Sequence, residues 1–164
     1  MKSSHLQIRL TVAQKEAIRK ASAAAGLEMT EWILKKIFPG PKVKFLLLLN
    51  ALKLVENKPD RRFVLNDLNA FLSGLDAHLL TEVVMDDPGL SFGALMENYV
   101  AAMVEEACVR QGCHPPQWSS ECRGVKEPYF ATAMSSLRLY LLCNAPVAFR
   151  KRNIFVDSTV GDLV

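Results

Sequence analysis

Residues 5–10, His5-Leu6-Gln7-Ile8-Arg9-Leu10, alternate polar and apolar side chains. A repeat of two is the repeat of a strand, so Leu6, Ile8 and Leu10 share one face while His5, Gln7 and Arg9 share the other. At Thr11 the period changes. Thr11 and Gln14 have the spacing of a capping box, and Ala13, Ala17, Ile18, Ala21 and Ala25 then recur at helical spacing opposite Lys15, Glu16, Arg19 and Lys20. Gly26 stands where a helix takes its left-handed C-terminal residue, with Leu27 placed to pack back. A second helix is predicted from Glu28–Thr30 through Trp32, Ile33, Ile37 and Phe38, and Pro39-Gly40-Pro41 stops it.

Beyond this boundary the pattern reads as helices. Lys42–Glu56 is leucine-rich. Arg61–Asp86 carries Phe63, Val64, Leu68, Phe71, Leu72, Leu75, Leu79, Leu80 and Val83 at spacings of three and four, with a break expected at Gly74-Leu75-Asp76. Ser91–Gln111 places Phe92, Leu95, Met96, Tyr99, Val100 and Met103 on one face. Gly112–Pro128 shows no period and is predicted to be a loop, and Tyr129–Cys143 is predicted to be another amphipathic helix. Phe149, Ile154 and Phe155 suggest that the final segment packs on the rest. The expected fold is therefore mainly α: one short strand and two helices in residues 1–40, then an all-α domain in residues 41–164.

A lone strand with two short helices is too small to fold by itself. Two copies that pair their strands about a twofold axis remove the difficulty. The dimer interface would take Leu6, Ile8 and Leu10 from the ribbon and Trp32, Ile33 and Ile37 from the second helix. The opposite face would then carry His5, Gln7 and Arg9 of both copies, and the DNA major groove accepts such a ribbon. Arg9 can bond guanine bidentately and Gln7 adenine, while Lys2, Thr11 and Thr30 lie at the flanks, toward the phosphates.

Charge supports that direction. The chain is +3 overall, but residues 1–58 hold eleven basic and four acidic side chains, a balance of +7, which leaves −4 for the remainder. A basic end on an acidic body fits a polyanionic partner.

From His5 to Phe38 the chain resembles the ribbon-helix-helix family, which includes the Arc, MetJ and CopG repressors and many antitoxins. The resemblance rests on Leu6-Gln7-Ile8-Arg9-Leu10-Thr11, on the Ala21–Ala25 helix end, and on Gly26-Leu27-Glu28-Met29-Thr30-Glu31-Trp32-Ile33-Leu34. It implies groove reading by Gln7 and Arg9 with His5 at the end. Glu28 departs from the small hydroxyl residue often found there. Farther on, Ala145-Pro146, Phe149-Arg150 and Asn153–Asp157 resemble only uncharacterised bacterial proteins that join a DNA-binding head to a helical domain.

Other chemistry finds little footing. Cys108, Cys113, His114 and Cys122 do not have the paired spacing of a zinc site, and Cys108 and Cys143 read as small hydrophobes on helices. The histidines His5, His78 and His114 are scattered, and no phosphate loop or hydrolase motif occurs. No metal, cofactor or catalytic residue is expected. Arg150, Lys151 and Arg152 could hold a phosphate or an acidic partner, or pair with acids of their own domain. With no visible export signal, a cytoplasmic protein is expected. The implied function is a repressor that binds operator DNA as a homodimer. It would be the antitoxin of a toxin–antitoxin pair, with a toxin as protein partner. A metabolite-sensing repressor with a pocket in the helical domain and a plasmid-partition or other architectural DNA protein are the alternatives; a third is a catalytic or RNA-acting helical domain, for which the sequence holds no constellation.

Overall fold

The computed structural model describes residues 7–38, 40–89 and 91–157. The chain divides into two compact units, Met1–Gly40 and Pro41–Val164.

In the first unit, α1 (Val12–Ala24) starts where its cap dictates. Thr11 Oγ1 accepts the Gln14 N–H at 3.3 Å and Gln14 Oε1 accepts the Thr11 N–H at 2.9 Å, closing the capping box. Gly26 ends the helix with φ +65°, the Leu27 N–H reaches the Ser22 carbonyl at 3.0 Å, and the Gly26 N–H reaches that of Ala23 at 3.1 Å. These two bonds satisfy carbonyls the helix end would otherwise leave open. A Cβ at Gly26 would meet nothing within 4 Å. Gly26→Ala should therefore cost about 1 kcal/mol from backbone conformation alone. The check is hydrogen exchange of the α1 amides; unchanged protection would show that the turn is not held left-handed in solution. The second helix, α2 (Met29–Ile37), packs on α1.

The predicted N-terminal strand does not appear among the described residues. Residues 7–10 belong to no helix or strand, and the strands among the described residues lie at 129–130 and 154–155. A strand exists through its ladder partner, and none pairs with residues 7–10 among the described residues.

The second unit is a helical assembly around one central helix. α3 (Pro41–Val55) and α4 (Arg61–Ser73) pack as a pair, and α5 (Ala77–Val84) follows the expected break at Gly74. Asp76 caps α5 by accepting the Leu79 N–H at 2.9 Å. α6 (Ala94–Gln111) starts three residues later than the hydrophobic pattern suggests. It is also buried on more than one face: α4, α5, α7 and α9 all touch it, and Ala101, Ala102, Val104, Ala107 and Cys108 join Met96, Tyr99, Val100 and Met103 in the core. Small side chains let the neighbours approach from those other sides.

Three expectations for the C-terminal half need correction. The loop Gly112–Pro128 contains a short helix, α7 (Gln117–Glu121), which the Trp118 indole pins by donating to the Val84 carbonyl at 2.8 Å. The helix predicted over Tyr129–Cys143 is instead β1 (Tyr129–Phe130), an irregular stretch, a 3-10 turn at Ser135–Leu137 and α8 (Arg138–Asn144). Of its apolar residues Leu141 is buried, whereas Met134, Leu137, Leu139, Tyr140 and Leu142 are exposed. The domain is thus not all-α. β1 pairs in parallel with β2 (Ile154–Phe155), after the short helix α9 (Val147–Arg150). Phe130 stacks on Phe155 at 4.9 Å between ring centres.

The final segment closes the core. Phe149, Ile154 and Val156 are buried, and so is Arg152, at 1% exposure. Its guanidinium donates to Glu105 Oε2 at 2.7 Å, to the Ala148 carbonyl at 2.7 Å and to the Ser119 carbonyl at 2.5 Å, and Lys151 pairs with the other Glu105 oxygen. Of the two readings of this basic run, pairing within the domain is the one Lys151 and Arg152 adopt.

Candidate nucleic-acid interface

The first unit encloses almost nothing. Ser22 is the one buried residue among those described in it, while Ile18, Leu27, Trp32 and Ile33 are half-buried. Large apolar side chains face outward: Ile8 is 56% exposed, Leu10 43%, Ile37 51% and Phe38 71%. Apolar area left in water gains none of the roughly 25 cal/mol per Å² that burial provides. A hairpin with this surface lacks the core to hold itself together.

The expected groove-reading residues Gln7 and Arg9 are exposed and immediately precede the α1 cap. Thr11 is committed to that cap as an acceptor, which leaves its hydroxyl proton to donate. Thr30 is exposed in the first turn of α2. Glu28 is the N-cap of α2 but its side chain makes no capping bond, so the leading amides of α2 have no side-chain partner there. Lys2, His5 and Leu6 lie outside the described residues. Of the expected dimer residues, Ile8, Leu10 and Ile37 are exposed, and Trp32 and Ile33 are partly covered, with Lys36 5.7 Å over the Trp32 ring.

Positive charge on this unit is partly compensated, Arg19 by Glu16 at 3.0 Å and Lys35 by Glu31 at 2.9 Å. Both pairs are exposed and worth little.

Burial disfavours the thiolate at two of the cysteines. Cys108 is buried, and burial first, then the hydrogen bond to Cys113, pushes its thiol up to about 12. Burial also raises Cys122. Cys143 is exposed, which corrects its reading as a packed hydrophobe: α8 turns that side to solvent. No group of three or more His, Cys, Asp or Glu among the described residues could hold a metal, and no described helix is long and apolar enough to cross a membrane.

Two pockets in the second unit escaped the sequence reading. One, of about 470 Å³, lies among Phe92, Glu97, Asn98, Trp118, Cys122 and Arg123. Its polar groups are largely bonded internally: Asn98 donates to the Ala94 carbonyl and accepts the Gly124 N–H, and Glu97 accepts the Phe92 N–H. The other, of about 540 Å³, lies between the start of α4, the middle of α6 and β1.

Comparison of the chain with family models, with curated proteins and with solved structures gives no match.

Proposed function

We propose that the first unit binds double-stranded DNA as a twofold dimer, and that the protein is a sequence-specific transcriptional repressor. The carrying observation is the coreless hairpin: α1, a glycine turn and α2, with one buried residue among those described and with exposed Ile8, Leu10 and Ile37. A second copy supplies what the single chain lacks. Strand pairing between copies satisfies the backbone of residues 5–10, covers Leu6, Ile8 and Leu10, and aligns His5, Gln7 and Arg9 for the major groove. The basic balance of residues 1–58 supports a polyanion at this end. Within this class we favour an antitoxin that represses its own operator, the helical unit holding the toxin. The exposed Leu139, Tyr140 and Leu142 of α8 give that unit apolar surface for a protein partner. A metabolite-sensing repressor is the second reading, favoured by the two pockets.

The test is selection of a binding site from random duplexes by the full chain, followed by Arg9→Ala on the selected site. Loss of one bidentate base contact should cost about 1–3 kcal/mol there and far less on unrelated DNA. Undiminished discrimination would remove Arg9 from the readout, and failure to select any site would overturn the DNA-binding reading.

A further inference from the structure

The pocket beside β1 gathers hydrogen-bond donors that the protein does not use. Tyr99 lines it from α6, is only 8% exposed, and its hydroxyl makes no hydrogen bond among the described residues. The ring packs edge-on against Phe149, with centres 5.3 Å apart. Burial raises the pKa of that hydroxyl well above the ordinary phenol range, which keeps its proton in place. The hydroxyl therefore faces the pocket with its donor uncommitted to the protein.

Arg61 lies across the same pocket, half-buried at the first turn of α4. It donates to the Glu56 carbonyl and to the Tyr129 hydroxyl, each at 3.3 Å. Among the described residues no carboxylate pairs with it. Two of its five N–H groups are therefore engaged, both weakly, and its charge is unanswered. The Tyr129 hydroxyl accepts from Arg61, so its O–H remains a donor toward the pocket. Arg62 stands on the same rim with its guanidinium 4.8 Å from the Phe63 ring centre. The titratable groups facing Tyr99 are thus Tyr129 and Arg61, neither of them a carboxylate. Leu65 and Phe130 supply apolar wall.

We propose that this pocket binds a small organic anion, its carboxylate or phosphate taken by Arg61, Arg62 and the two phenol hydroxyls and its apolar body laid against Leu65 and Phe130. Charge-assisted bonds to a guanidinium and to O–H groups are the strong class, and a volume of about 540 Å³ suits a small molecule. The inference goes beyond DNA binding and does not rest on it, since every residue involved belongs to the second unit.

The full chain titrated calorimetrically with phenyl phosphate, phenylacetate and uncharged benzyl alcohol tests this. At least one of the two acids should bind roughly tenfold or more tightly than the alcohol, and the better acid identifies the headgroup. Tyr99→Phe should weaken that acid roughly tenfold while the unfolding temperature holds, because the hydroxyl has no protein partner to lose. Arg62→Ala, at an exposed position, should weaken it similarly. Absence of binding by both acids, equal binding of the alcohol, or unchanged affinity in Tyr99→Phe would each overturn the proposal.

Discussion

Replacing Arg152 with Leu should destabilise the helical unit by about 3–5 kcal/mol, the range for removing one partner of a buried ion pair. The side chain is enclosed, and its loss leaves the Glu105 carboxylate, only 14% exposed, with Lys151 alone. It also strips donors from the Ala148 and Ser119 carbonyls. Domains are commonly stable by about 5–15 kcal/mol, so the variant should unfold at markedly lower urea. Urea titration of the full chain followed by circular dichroism checks this. Two controls separate the causes. Lys151→Ala, at a 44% exposed side chain, should cost less than about 1 kcal/mol. Pairing Arg152→Leu with Glu105→Leu should recover part of the loss, because the uncompensated carboxylate goes too. A cost under about 1 kcal/mol for Arg152→Leu would show that the network carries no stability.

The second large effect belongs to the other unit. The full chain should have twice its 18.3 kDa mass in solution, and Ile8→Asp with Leu10→Asp should return it to 18.3 kDa. Two carboxylates placed where apolar side chains meet across a twofold axis face their own copies and cannot be desolvated. DNA affinity should fall by about 10²–10⁴-fold, the usual worth of linking two binding halves. Sedimentation and a gel-shift series on the selected site read the two losses. The helical unit's unfolding should not change, since neither residue belongs to it. A wild-type monomer would overturn the shared ribbon.

What the sequence disclosed was local chemistry. The capping box at Thr11, the turn at Gly26 and the break at Gly74 are each decided by residues three or four apart, and all three stand in the fold. What it concealed depends on distant partners. β1 is two residues long, too short to show a period, and its partner lies 25 positions on; Tyr129 and Phe130 therefore read as the start of the helical pattern that follows. The burial of α6 on several sides was hidden because alanines count for little in an amphipathic pattern. The pocket beside β1 escaped because Arg61, Tyr99 and Tyr129 come from three elements and form no motif. The N-terminal row of Gln7 and Arg9 is read from alternation alone, and residues 7–10 of the single chain form no strand that sorts its two faces.

The order in which the core is completed has a consequence during synthesis. Phe149, Arg152, Ile154 and Val156 are enclosed parts of the helical unit, so its interior stays open until the ribosome has released them. The N-terminal hairpin emerges long before, with no interior of its own to fold around. At about 5–20 residues per second the nascent chain thus shows apolar surface to the cell for roughly ten to thirty seconds. Such a chain should engage holding chaperones while still tethered, and a stop just before Phe149 should yield an aggregate instead of a shortened protein.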